Sequence, residues 1–172
     1  MLCGPPQLWH CIISRLLEAE GYKIGVLAQP RYTDCEGFKR FGKPKYGFFI
    51  GGGNVDSMVS HYSVAKIPRA EDEYSPGGKG GARPDRSATV YTRLAKQAYP
   101  DLPVILGGLE ASLRRFAHYD YWLDTVLPAS PRIPARTSSA LAWASTRPWR
   151  SPAALPPGNR WRASRTWTAP VT

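Results

Sequence analysis

Two short apolar runs that each end in glycines constrain the fold of this chain more than any other feature. Tyr46–Ile50 leads into Gly51–Gly53, and Val104–Leu106 leads into Gly107 and Gly108. Short apolar runs between turn residues are typical of strands buried on both faces of a parallel sheet. Polar residues follow both runs, and open parallel sheets bind ligands at this carboxyl edge of their strands. The two junctions therefore predict an α/β domain with a polar edge.

Helical and strand-like segments alternate along the chain. Apolar residues at helical spacing predict a helix over Trp9–Glu20 and another that Asp85 caps and that runs to Tyr99. The other predictions are a strand over 24–28, a short helix over 34–41, a helix capped by Asn54 or Asp56, and a long loop over 63–84. The loop is interpreted as a lid, an interdomain contact or a mobile segment. The order β-α-β-α-loop-α-β implies right-handed crossovers and a doubly wound parallel sheet.

Several motifs carry a family resemblance. The longest is Pro103–Trp122, which includes Gly-Gly-Leu-Glu-Ala-Ser-Leu-Arg-Arg-Phe-Ala-His-Tyr-Asp-Tyr. The others are Arg83-Pro-Asp-Arg86, Val90-Tyr-Thr92, Gly53-Asn54 with Asp56-Ser-Met58, and Leu17–Tyr22 with Ala28-Gln-Pro30. In order and spacing, over roughly residues 12–127, they resemble the N-terminal domain of the YgiQ-type radical SAM proteins of bacteria. The resemblance implies a Rossmann-like, cobalamin-binding-type domain ahead of a barrel, in which three cysteines hold a [4Fe–4S] cluster that cleaves S-adenosylmethionine.

The resemblance implies that the missing barrel is the partner of this domain and that the chain alone is inactive. No catalytic residue, cofactor ligand or metal ligand is assigned, and the cluster and S-adenosylmethionine are expected only for the full-length protein. The candidate edge that would face the barrel or a ligand comprises Gly51, Gly52, Gly53, Asn54, Gly107, Gly108, Glu110, Arg114, Arg115, His118 and Asp120. Charged side chains just past a strand end are rarely core, so Arg114 and Arg115 are expected to add little stability.

The net charge of +10 lies mostly in the C-terminal tail. Residues 12–127 hold 16 basic and 13 acidic side chains, a net charge of +3, whereas the tail after Leu127 holds 7 arginines and no acid. The tail also holds 8 of the 17 prolines and 4 of the 6 tryptophans, without helical or strand periodicity. Arg, Ala, Pro, Ser and Trp together are typical of GC-rich DNA translated out of frame. For both ends of the chain, synonymous codons can be chosen so that a shifted reading frame encodes a family-like sequence.

The chain is therefore divided into three segments. Residues 1–11 are predicted to be an out-of-frame leader, 12–127 the Rossmann-like domain, and 128–172 a disordered, out-of-frame tail. Because the leader would replace the first strand of the family, the sheet is expected to be incomplete.

Other sites are tested against their chemical requirements. Cys3, Cys11 and Cys35 have the spacing of neither a zinc site nor a C-x3-C-x2-C cluster motif. The glycines match neither a P-loop nor a dinucleotide fingerprint, and they leave at most a generic anion site at Gly51–Gly53. The N-terminus lacks the pattern of a signal peptide and no run reaches membrane length, so a cytoplasmic protein is expected.

Two other functions stay open. One is a stand-alone α/β module that binds a small ligand. The other is a basic protein that binds nucleic acid through the Arg- and Trp-rich tail, since Arg contacts phosphate and Trp stacks on bases. The nucleic-acid hypothesis ranks last, because its charge comes from the segment interpreted as out of frame.

Overall fold

The structure is a computed structural model that describes residues 2–4, 8–129 and 137–139. Residues 2–4, 8, 9 and 137–139 are described by their backbone alone. The chain divides into two units, residues 1–142 and 143–172, and the second lies outside the described residues.

The described residues form five α-helices and seven strands. The helices are α1 (Leu8–Ala19), α2 (Glu36–Lys39), α3 (Ser57–His61), α4 (Ser87–Ala98) and α5 (Gly108–Leu113). The strands are β1 (Leu2–Gly4), β2 (Val26–Ala28), β3 (Phe48–Gly51), β4 (Val104–Gly107), β5 (His118–Asp120), β6 (Thr125–Leu127) and β7 (Thr137–Ser139). A 3-10 turn over Pro76–Gly78 interrupts the long loop. The predicted mixture of helices with parallel strands is confirmed.

Five strands form one parallel sheet in the order β2-β1-β3-β4-β7. The expectation that the first strand is missing is wrong, because Leu2–Gly4 lies between β2 and β3 and pairs with both. Ladder hydrogen bonds join backbone groups, so a short strand can form whether or not its side chains match those of a family. The reading frame of residues 1–11 stays a prediction.

The last strand of the sheet comes from the segment predicted to be a disordered tail. Thr137–Ser139 pairs in parallel with Val104–Leu106. A strand needs free amide donors, and this part of the tail lies in a proline-free run between Pro134 and Pro148. The prediction of disorder is thus wrong for these three residues, and most of the tail lies outside the described residues.

The core lies between the two central strands and α4. Phe48, Ile50, Val104 and Leu106 alternate with half-buried neighbours along β3 and β4. These strand residues contact a cluster from β2, the helices and a loop that comprises Leu27, Phe38, Tyr91, Leu94, Ala95, Leu102 and Ala111. The two apolar runs of the sequence are therefore buried strands, as predicted, and their carboxyl ends lie side by side.

The helix caps agree with the sequence in one case and differ in another. Asp56 caps α3 and accepts hydrogen bonds from the amides of Met58 and Val59. Asp85 was predicted to cap α4, but Arg86 occupies that position in a left-handed conformation, with φ of 50°. Asp85 instead accepts hydrogen bonds from other side chains, described below. Within the described ranges, no helix is both long and apolar enough to cross a membrane.

Candidate functional site

Several of the predicted edge residues lie at the carboxyl ends of β3 and β4. Gly51 pairs in register with Gly107, so the segments that follow both strands start side by side. At Gly52 a Cβ atom would lie 2.7 Å from Oε2 and 2.9 Å from Cβ of Glu110. Glycine at position 52 therefore lets α5 approach the end of β3.

Glu110 places a carboxylate in the interior, at the N-termini of two helices. The residue is only 1% exposed. The amide of Ser57 donates to Oε2 at 3.2 Å, and the amide of Ala88 donates to Oε1 at 2.9 Å. The hydroxyl of Ser87 also donates to Oε2, at 3.0 Å. Helix N-termini leave amides without partners and favour negative charge. From its place on α5, the Glu110 carboxylate therefore accepts hydrogen bonds from the N-terminal amides of both α3 and α4.

Arg114 extends this cluster to the cap of α3. Its guanidinium donates to both carboxylate oxygens of Asp56, with Nη2 3.0 Å from Oδ1. Its Nη1 also lies 3.8 Å from Oε1 of Glu110. Burial disfavours the charged guanidinium, but the hydrogen bonds and charge of Asp56 outweigh burial and raise the pKa of Arg114. Asp56, Glu110 and Arg114 thus form one buried ionic cluster.

A second buried carboxylate ties the hairpin β5–β6 to α4. Asp120 is 4% exposed and accepts hydrogen bonds from Arg86, at 2.8 Å from Nη2 and 3.3 Å from Nε. The amides of Trp122 and Leu123 donate to its other oxygen. Burial would raise the pKa of Asp120, but the hydrogen bonds from Arg86 and these amides lower it overall.

The candidate edge therefore separates into an inner and an outer set. Glu110, Arg114 and Asp120 are buried, so the expectation that Arg114 lies outside the core is wrong. The physical reason is that each is compensated by a charged or amide partner, without which burial would be costly. Asn54 is exposed, and Arg115 and His118 are half-buried.

The generic anion site considered at Gly51–Gly53 finds no support in this geometry. The first three amides of α3, from Ser57, Met58 and Val59, donate to the carboxylates of Glu110 and Asp56. The carboxylates of the chain itself take the place that a bound anion would occupy.

The long loop is organised around a buried ion pair. The side chain of Arg83 has no exposed surface, and it donates to both oxygens of Asp72, from Nε at 2.8 Å and from Nη2 at 3.0 Å. The hydroxyl of Ser75 donates to Asp72 at 2.7 Å, and Arg83 donates to the hydroxyl of Ser60 at 2.6 Å. Burial would raise the pKa of Asp72, but the hydrogen bonds from Arg83, Ser75 and the Tyr74 amide lower it overall. These bonds hold the loop against α3.

A cleft of about 520 Å³ opens between this loop and helices α3 and α4. On its wall, Nδ1 of His61 lies 2.8 Å from Oδ1 of Asp85, and the hydroxyl of Tyr62 donates to Oδ2 of Asp85 at 2.7 Å. The hydrogen bond to Asp85 raises the pKa of Tyr62. Arg69 and Arg93 also line the cleft. Its polar wall can bind a small ligand through charge and hydrogen bonds.

No motif of the sequence points to His61, so sequence patterns alone miss this group. The signal that could have found it is Arg83-Pro-Asp-Arg86, because its three charged residues have partners in three different places. Arg83 binds Asp72, Asp85 binds His61 and Tyr62, and Arg86 binds Asp120.

The described residues do not fit an iron–sulfur cluster. Cys11 is an exposed free thiol on α1, and Cys35 is a free thiol that packs against the core beside α2. Across the described ranges, no three His, Cys, Asp or Glu side chains assemble into a group that could hold a metal ion. A cluster needs several thiolate ligands around one centre.

Fold and site together define a parallel α/β domain whose carboxyl edge is closed by internal ion pairs. The family model described as Radical SAM N-terminal matches residues 4–130. The chain belongs to this family, and the resemblance to the N-terminal domain of YgiQ-type proteins is confirmed.

Curated relatives carry the name UPF0313 protein. One from Clostridium botulinum is 55% identical over 121 residues, which are 70% of this chain and 19% of that protein. One from Shewanella oneidensis is 49% identical over 121 residues, 70% of this chain and 15% of that protein. One from Methanosarcina mazei is 53% identical over 115 residues, 67% of this chain and 18% of that protein. The chain thus spans less than a fifth of the length of these relatives. No solved structure matches it.

Proposed function

We propose that this chain is the N-terminal, non-catalytic domain of a YgiQ-type radical SAM protein and is inactive alone. In the full-length protein, a barrel that follows this domain would hold the [4Fe–4S] cluster and S-adenosylmethionine. When bound there, the cluster supplies the electron that cleaves S-adenosylmethionine.

One observation carries this proposal beyond family membership. The charged residues of the family-like motifs bind one another in the interior, as in Asp56 with Arg114 and Arg86 with Asp120. Catalytic groups must instead reach a substrate, often with a pKa set by their site. Motif residues that are consumed in internal pairs support a structural and positioning role for the domain.

A cleavage assay tests this proposal. The chain and the full-length Clostridium botulinum relative are each reconstituted anaerobically with iron and sulfide and then given S-adenosylmethionine and a reductant. We expect the relative to bind iron and form 5′-deoxyadenosine, and the chain to form none. Formation of 5′-deoxyadenosine by the chain would contradict its inactivity, and failure of the relative would remove the radical SAM assignment.

We further propose the doubly wound, cobalamin-binding-type architecture for this domain. All strands of the order β2-β1-β3-β4-β7 are parallel, and the order changes side at β1: β2 lies on one side of β1, and β3, β4 and β7 follow on the other. Doubly wound sheets of the flavodoxin type have this strand order. We place the protein in the cytoplasm, where a reducing environment keeps thiols such as Cys11 and Cys35 free.

The proposal that the chain is a fragment includes two frame disruptions in its gene, near codon 11 and near codons 127–131. The abrupt changes of composition at these places support it. Resequencing the locus tests it. Family-like strings are expected in the alternative frames, with a C-x3-C-x2-C motif downstream, and confirmed codons without them would contradict it.

The second candidate function is a stand-alone module that binds a small ligand, which the polar cleft favours. Thermal-shift measurements with nucleotides, S-adenosylmethionine and cobalamin test it. A ligand of the cleft should raise the melting temperature of the chain and lose this effect in His61→Ala. If none of these ligands raises the melting temperature, the result contradicts the second candidate function for nucleotides, S-adenosylmethionine and cobalamin.

A further inference from the structure

The segment from α5 to β6 buries three of its charged side chains and exposes most of its large apolar side chains. Glu110, Arg114 and Asp120 are buried, as described above. Six exposed apolar and aromatic side chains of the segment are Leu109 (42% exposed), Leu113 (59%), Phe116 (66%), Tyr119 (59%), Leu123 (56%) and Val126 (69%). A seventh, Tyr121 (44%), donates its hydroxyl to the carbonyl of Val64. Charged residues are seldom fully buried, and a run of exposed apolar residues on a folded domain indicates an interaction surface.

Four of these exposed side chains lie on regular faces of α5 and of the hairpin. Leu109 and Leu113 are one helical turn apart and so share a face of α5. On the hairpin, Tyr119 stands opposite Val126 in the antiparallel register, so both project from one face. Asp120, the next residue along β5, projects to the other face and binds Arg86. The hairpin is therefore held to the domain by one face and leaves its apolar face open.

A two-stranded hairpin with one apolar face open lacks a covering layer. Such hairpins are marginally stable in water unless a helix or further strands pack on them. Near this face, the hydroxyl of Tyr119 donates to Asp124, and the guanidinium of Arg115 lies 4.3 Å from the centre of the Phe116 ring. An apolar protein surface complements such a face, whereas nucleic acid would need free cationic groups.

We propose that this face, called the α5–β6 face and defined by Leu109, Leu113, Phe116, Tyr119, Leu123 and Val126, binds the barrel that follows the domain in full-length relatives. The occupant is indicated by position, because the family match ends at residue 130, just after β6, while the relatives extend to more than five times the matched length. In the relatives the chain therefore continues directly from the end of this face. This inference rests on the proposed function.

A site-specific crosslink tests the proposal in a full-length protein. In a chimera, residues 8–129 of this chain replace the matching segment of the Clostridium botulinum relative, and a photoreactive phenylalanine replaces Phe116. The matched control carries the same probe at Phe41, which is 54% exposed and contacts Gly25, at the amino end of β2. We expect crosslinks within one chain from position 116 to the barrel, and no crosslink to the barrel from position 41.

Crosslinks from position 116 to a second copy of the chain, or no crosslink to the barrel, would overturn the proposal. A second measurement avoids the chimera. In the unmodified relative, hydroxyl-radical labelling should be weaker over the segment that matches residues 109–126 than over the segment that matches Phe41, and equal labelling of both would also overturn it. Formation of 5′-deoxyadenosine in the same samples reports on the proposed function separately, so either proposal can fail while the other stands.

Discussion

At the scale of single residues, the acidic side chains after β4 stabilise the domain. Glu110 contributes an acceptor to α3, an acceptor to α4 and a negative charge near both N-termini. Gly52 allows this approach because any side chain there would collide with Glu110. A stability role is therefore expected for residues that a sequence motif alone would suggest as a ligand edge.

Replacing Glu110 by Ala should lower the free energy of unfolding by about 3 kcal/mol, because it leaves two buried amides without their acceptor. Glu110→Gln keeps an acceptor oxygen and should cost less. Glu18→Ala is the control, since Glu18 pairs with Arg15 at an exposed position and should change stability by about 0.5 kcal/mol or less. Denaturant melts measure all three, and equal losses for Glu110→Ala and Glu18→Ala would contradict the role of Glu110.

Arg114 and Arg115 are neighbours, but replacing them by Ala should have effects of different size on stability. Arg114→Ala leaves the buried carboxylate of Asp56 without its guanidinium and should cost about 3 kcal/mol. Arg115→Ala removes a half-buried side chain beside Phe116 and should cost about 0.5 kcal/mol or less. The two variants have the same change of charge, so their difference in denaturant melts isolates the buried pair. Similar values for both would argue against it.

Gly52→Ala tests how closely α5 packs against the end of β3. The new Cβ atom would overlap Glu110, so the helix or the turn must shift, at a cost of about 1–3 kcal/mol. Thermal melts of the variant should show a lower midpoint than the unmodified chain. An unchanged midpoint would mean that the approach of α5 is looser than described.

At the scale of elements, ion pairs attach irregular segments to the sheet and its helices. Arg83 and Asp72 hold the loop against α3, and Arg86 and Asp120 hold the hairpin against the start of α4. A 22-residue loop without long elements is unusual in a compact domain. Here the loop is ordered by buried polar bonds in place of an apolar core.

These pairs predict acid sensitivity. The folded pKa values of Asp72 and Asp120 are lowered, so below the ordinary aspartate pKa of about 4 the unfolded chain binds more protons than the folded one. The stability that the pairs contribute is complete above about pH 4 and is lost as the pH falls through the folded pKa values. Denaturant melts between pH 7 and pH 3 should therefore show a falling free energy of unfolding.

Asp120→Asn isolates one contribution to this pH dependence. The difference in unfolding free energy between the unmodified chain and Asp120→Asn should be largest near pH 7 and should shrink in acid. Asp34→Asn, at an exposed position, is the control substitution. A difference for Asp120→Asn that stays constant down to pH 3 would contradict the lowered pKa of Asp120.

At the scale of the whole molecule, β7 covers an edge of the sheet that β4 would otherwise expose. An open edge offers unpaired backbone groups to other chains. Ser138→Pro removes an amide from the strand that pairs with Ile105 and should increase association of the chain, measured by light scattering over a range of concentrations. Ala153→Pro, in the tail but outside the described residues, is the control. Equal association of the two variants would argue against a protective role of β7.

The local pattern of the sequence predicts most elements correctly. The apolar runs at β3 and β4 are buried strands, Asp56 caps α3, and the helices near α1 and α4 occur close to their predicted bounds. These features depend on neighbours within a few residues, so periodicity and cap residues suffice to predict them. The motifs likewise identify the family.

Only the tertiary structure decides which polar residues lie inside and which segments complete the sheet. Arg114 and Asp56 are 58 positions apart, and Glu110 and Ser57 are 53 apart, so no local spacing indicates that they bind. The same holds for β1 and β7, because a strand joins a sheet through backbone hydrogen bonds that any residue except proline can make. Sequence by itself determined the elements and the family, whereas long-range pairing decided that charged motif residues hold the domain together from within.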